Sequence, residues 1–183
     1  MPIVGQFGSL AGVGVFPGGA LESIATVTVG SGGASSITFS DIPSGFQHLQ
    51  IRAMLKTGAA QWIGIRINGS SSTTVYRDHR LSGDGASASA GSLSGDTFAY
   101  SALFNGVGEG AVVYDILDYA STSKTTVLRT FAGQDRNGAG EITLGSVLFT
   151  PTDAVTSVRL HVPNGTNNFA QHSTAALYGI KAP

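Results

Sequence analysis

Cysteine is absent from the 183 residues, which excludes a disulfide framework and any thiolate metal site. Charge is scarce. Asp, Glu, Lys and Arg make up 11% of the chain, against about 25% in an ordinary soluble domain. The formal net charge of −1 leaves no basic footprint for nucleic acid and no cationic patch for anionic lipid, so neither partner is expected. No run reaches the ~18 apolar residues of a membrane-spanning helix. Aromatic residues amount to 8%, with one tryptophan, Trp62, which opens an apolar strand and is expected in the core in preference to covering a subunit contact. They form no clear group of the kind a sugar-binding platform uses. No Walker loop or dinucleotide fingerprint occurs, and GSLSG at 91–95 has Leu93 where a nucleophile elbow requires serine.

What is present is glycine, 26 residues of it, together with serine, threonine, alanine and short alternating apolar runs. A compact chain of this length buries about 70% of the surface its unfolded form exposes, so a core forms without staples. In FQHLQIRAMLK, Leu49, Ile51, Ala53 and Leu55 alternate with His48, Gln50, Arg52 and Lys56. WIGIRIN repeats the pattern with Ile63, Ile65 and Ile67. Further strands are expected in SIATVTV, SITFS, TFAYSAL, AVVYDILDY, TTVLRTFAG, EITLGSVLF, TSVRLHV and STAALYGIK. Asn68-Gly69, Asn137-Gly138 and Asn164-Gly165 mark tight turns. Residues 82–96, SGDGASASAGSLSGD, are expected to form a long low-complexity loop. Roughly ten strands and no long amphipathic run predict an all-β fold, an antiparallel β-sandwich of jelly-roll-like type.

Residues 1–20 stand apart from the sandwich domain of 21–183. They carry no charge and hold six glycines, at 5, 8, 12, 14, 18 and 19. They lack a basic n-region and do not have the form of a secretory signal, so synthesis in the cytoplasm is expected. Either they are a loose tail or glycine-rich edge segment, or they are an arm that lies on a neighbouring subunit.

The polar residues give little chemistry. Arg77-Asp78-His79-Arg80 is the one dense cluster. Asp78 and His79 are the types of an acid–base pair, but neighbours on a strand point to opposite faces, so ion pairs between strands or subunits are expected instead. Asp115 and Asp118 are the types of a glycosidase pair. An offset of three separates them too, Asp115 going with Val113 and Leu117, Asp118 with Tyr114 and Ile116. Asp118 is also placed to cap the turn at 121–123. Asp135 to Glu141 echoes a calcium loop, but Glu141 comes too early for the bidentate position and strands flank it, so a hairpin turn is expected. His48, His79, His161 and His172 have no close metal-ligand spacing, although His161 and His172 can meet across strands, and all four are expected at the surface or in an interface. No catalytic residue, cofactor site or metal site is expected.

Several blocks resemble small virion structural proteins of tailed bacteriophages. SITFSDIPSGFQHLQIR is similar to the family's opening, YRDHRLSGDG to its middle block, VVYDILDYASTSKTTVLRTFAG to its central hairpin and NNFAQHSTAALYGIK to its terminal strand. The resemblance covers about 23–181, and its terminal block is the most specific. It implies a phage structural component rather than an enzyme. Short length, one domain and the lack of a fibre shaft's heptads favour a capsid decoration or cement protein on the outside of the virion. Its implied partners are the major capsid protein and further copies of itself, as a trimer. Ile3, Val4, Phe7, Leu10, Val15 and Phe16 of the arm are then the expected contact residues. A tail or tail-fibre component, with residues 82–96 and 105–110 facing the host, is the second expectation. A sugar binder or hydrolase is the third, with Asp78→Asn and Asp115→Asn as its test.

Overall fold

The computed structural model describes residues 20–104, 108–163 and 168–182. Twelve strands account for most of them, and the described residues contain no helix. In chain order they are β1 (Leu21–Thr28), β2 (Ser36–Phe39), β3 (His48–Thr57), β4 (Gln61–Ile67), β5 (Tyr76–Gly83) and β6 (Ala88–Ser94). The second half holds β7 (Ala99–Phe104), β8 (Gly108–Leu117), β9 (Thr126–Asp135), β10 (Gly140–Phe149), β11 (Val158–His161) and β12 (Thr174–Ile180). One sheet has eight strands in the order β1-β12-β3-β8-β9-β10-β5-β6, the other four in the order β2-β11-β4-β7. Both are antiparallel throughout, and they pack face to face as a β-sandwich.

The alternating runs bury the side chains that their period selects. Leu49, Ile51 and Leu55 of β3 meet Ile63, Ile65 and Ile67 of β4 in the core, each fully buried. Tyr114, Leu128, Val147 and Leu177 continue it along the large sheet. Gly110 is required by this packing. A Cβ there would lie 2.5–2.8 Å from three ring atoms of Phe104, which is itself fully buried and cannot swing aside. Gly110→Ala is therefore expected to destabilise the fold by about 2 kcal/mol, read as a lower urea midpoint with unchanged m-value.

Asn68 and Gly69 both adopt positive φ, 50° and 64°, as an Asn-Gly turn demands. The turn does not close a hairpin, because β4 pairs with β7 and β11 while the next strand, β5, belongs to the other sheet. Asn68 instead pins the chain before β11. Its amide donates to the Ala154 carbonyl at 2.9 Å, and its oxygen accepts from the Thr156 and Ser157 amides at 2.8 and 3.1 Å. Asn137-Gly138 does close the β9–β10 hairpin, as the sequence suggested.

Two expectations change. Residues 82–96 are not a loop: β5 runs to Gly83, and Ala88–Ser94 returns beside it as β6, paired from Arg77↔Ser94 to Gly83↔Ala88. Alanine, serine and glycine give no apolar alternation, so the strand is held by its main-chain ladder. Asp84 closes the turn by accepting from the Ala86 and Ser87 amides at 2.9 and 2.7 Å. Trp62 is not in the core. It is half-buried, edge-on to Tyr100 with ring centroids 5.5 Å apart. The arm residues Ile3, Val4, Phe7, Leu10, Val15 and Phe16, the turn at Asn164-Gly165 and residues 105–107 lie outside the described residues.

Candidate functional site

The sequence-predicted polar residues do not converge. Asp78 is buried on the inner face of β5 and His79 is exposed on the outer face, as their adjacency requires. Both Asp78 oxygens are engaged: Oδ1 with Arg80 Nη1 at 2.6 Å, Oδ2 with the Tyr100 amide at 3.2 Å. The Arg80 guanidinium lies over Trp62, 4.7 Å from the ring centroid, and over Tyr100 at 5.5 Å. Burial raises the Asp78 carboxyl above its ordinary range, and the Tyr100 amide and Arg80 only partly offset that. The group is thus a structural clamp. It ties β5 of the large sheet to β7, an outermost strand of the small one.

Asp115 accepts from Gln50 Nε2 at 2.8 Å and lies 3.6 Å from Arg129 on the outer face of the large sheet. Asp118 falls just past the end of β8 with φ of 49°, so it does not share the buried face of Tyr114 and Ile116. Its carboxylate pairs with Lys124 at 2.9 Å, which holds its pKa down, while its carbonyl accepts from the Ser121 amide. Its own N–H donates to His48 Nδ1 at 2.9 Å. The turn is capped by main chain and by Ser121 Oγ rather than by the Asp118 carboxylate. Asp135 accepts from the Asn137 amide inside a hairpin turn. Among the described residues no three His, Asp or Glu side chains come together as a metal site. His161 lies in β11, and His172 in the turn that leads to β12.

His161 is not the surface or interface residue that the sequence suggested but a buried one. Its ring is buried, edge-on to Phe98 at 5.0 Å, over Gly64, whose missing Cβ leaves the ring its space. Burial lowers its pKa from 6.5 to about 4, and the cations Arg66 and Arg159 act in the same direction. The folded state thus binds this proton less readily than the unfolded chain. Stability is expected to be full above pH 6.5 and to fall toward pH 4, by up to about 3 kcal/mol from this group. Melting temperatures measured from pH 7 to pH 4 should show that slope, and His161→Leu should flatten it.

The feature that the sequence reading missed is the outer face of the large sheet. Across β8, β9, β10, β5 and β6, the register aligns Val113, Phe131, Leu144, Leu81 and Ala90 in one row. The next row places Met54, Ala111, Gly133 and Ile142 in line. Phe131, Leu81, Leu144, Ile142 and Met54 are each 49–52% exposed. Asp115, Arg129, Ser146, His79 and Ser92 form the polar row beside them. An open trough of about 800 Å³ runs between the first apolar row and the polar row, bounded by Leu81, Ala90, Leu144, Arg129, His79 and Ser146.

An antiparallel sheet with one solvated face normally turns polar residues outward and apolar ones inward. Part of β9 and β10 does the reverse. Thr130 and Thr143 point into the sandwich, buried, and their hydroxyls find no hydrogen-bond partner among the described residues. Phe131, Ile142 and Leu144, their neighbours in sequence, point out. A buried hydroxyl without a partner costs about 1–3 kcal/mol, so this order is not what core packing alone selects. The signal was in the sequence, since TVLRTFAG and EITLGSVLF carry apolar residues in both phases of the strand period.

No protein-family model, no curated protein and no solved structure matches the chain.

Proposed function

We propose that this protein is a non-enzymatic structural component of a tailed-phage virion. Its role is that of a capsid cement or decoration protein, which sits on the outer shell and bridges neighbouring major capsid subunits. The observation that carries the reading is the inverted alternation of β9 and β10, which turns Phe131, Ile142 and Leu144 outward and Thr130 and Thr143 inward. A face so ordered is built to be covered. The resemblance of several blocks to phage virion proteins supports a capsid partner, and the weakly charged surface suits a subunit that works inside a larger assembly.

Magnitude shapes the mechanism. Four strand spacings by three residue pairs make the patch roughly 19 Å by 20 Å, or about 400 Å². A stable contact buries about 800 Å² per partner, so the face alone gives a weak bond. Several copies joined together, a trimer in this proposal, turn weak bonds into lasting attachment through effective concentration. The tail reading drew on exposed loops at 82–96 and 105–110; nine of the fifteen residues of the first are strand, in β5 and β6, and residues 108–110 of the second belong to β8.

Antibody labelling of purified particles tests the location. Label over the whole head, with hundreds of copies per particle, is the expected result. Label at the tail alone supports the second reading, and particles without the protein contradict both.

A further inference from the structure

Among the described residues the sandwich has four outermost strands, and three of them are protected. β1 carries a register shift between Ser23 and Ala25, and its Glu22 pairs with Lys181 at 2.7 Å. β2 is only four residues long. β7 has its Tyr100 N–H taken by Asp78 and a guanidinium laid across it. β6 has none of these. It is seven residues, Ala88–Ser94, without charge, proline or register shift, and no strand lies on its far side among the described residues. Sheet proteins normally blunt such an edge, because its free N–H and C=O groups are a template for another strand.

We propose that β6 accepts residues 3–16 of another copy of this chain, added as a further strand of the large sheet. Three observations select that occupant. The strand beside β6 continues the apolar row that ends at Leu81 and Ala90, and residues 3–16 carry no charge and no proline. The chain is still paired at Ala20, whose carbonyl accepts from the Lys181 amide at 3.0 Å, so the arm departs from the margin formed by β1. β6 is the opposite margin of the same sheet. Donor and acceptor edges at opposite margins make the contact head-to-tail, which closes a ring when the rotation between copies permits and otherwise runs on as a filament. A neighbour set edge to edge brings its β6 beside the arm's root. The arm's own β6 lies seven strand spacings away, about 34 Å across the sheet.

This inference concerns purified protein in solution and does not rest on the particle reading. Its test uses two variants, and circular dichroism checks that each is folded. A chain lacking residues 2–19 keeps every described core residue, Val29 to Leu177, and can only accept. Ala90→Lys places a charge on the exposed edge and can only donate; Ser92→Lys replaces it should that variant not fold. By light scattering the full chain is expected to be an oligomer and each variant a monomer. The two variants mixed in equal amounts are expected to form a one-to-one pair. A full chain that stays monomeric at hundreds of micromolar overturns the proposal. So does a shortened chain that keeps the oligomer's mass, which would mean that β6 pairs with itself or that the outer face associates. A mixture that stays monomeric overturns it as well.

Discussion

Asp78→Ala is expected to lower the unfolding free energy by about 3–5 kcal/mol, the range for removing one partner of a buried pair. The carboxylate is 2% exposed and holds both Arg80 and the Tyr100 amide. Its loss leaves a guanidinium over Trp62 without its counter-charge and an edge N–H of β7 without an acceptor. For a domain of this size that is roughly a 10 °C drop in melting temperature. Asp78→Asn keeps an acceptor for the Tyr100 amide but loses both the charge and the second accepting oxygen, which holds Arg80, so its loss should be smaller than that of Asp78→Ala without vanishing. Sign supports this order. Because burial raises the Asp78 pKa, its ionisation opposes folding: its contribution is complete below the ordinary carboxylate range and declines as pH rises through the raised value. An Asp78→Ala variant that melts like the parent would remove the clamp from the account.

Phe131→Lys combined with Leu144→Glu is expected to abolish attachment to particles and leave the fold intact. The two residues are direct cross-strand partners, so the introduced charges face each other and sustain the β9–β10 ladder. Both side chains are already half exposed, so little core packing is lost. On the shell they would carry charge into a dry contact. Together with the lost apolar burial this should weaken binding at least about a hundredfold, or roughly 2.7 kcal/mol. The measurement is occupancy after the variant is added to particles stripped of the protein, compared with the parent chain. Unchanged occupancy would show that the outer face is not the docking surface.

How much of this was legible in the sequence depended on whether burial and strand period agreed. Where they did, as at Leu49 to Leu55 and Ile63 to Ile67, both the strand and its buried face followed from alternation. The separation of Asp78 from His79 followed from the same period. β6 was illegible because alanine, serine and glycine carry no pattern, and only pairing with β5 makes them a strand. Trp62 was misplaced because it opens an apolar strand, whereas its position in the strand phase opposite to buried Ile63 sets it on the outer side. The apolar face was hidden for a third reason. Strands β9 and β10 carry apolar residues in both phases, and one phase was enough to explain a core.

The most direct test of the central proposal is an electron-microscopy reconstruction of the particle at a resolution that separates strands. The account expects the sandwich on the outside of the head, with Phe131, Leu144 and Ile142 turned against major capsid subunits and closed off from solvent. A head without this sandwich, or one on which those three side chains face open water, would contradict it.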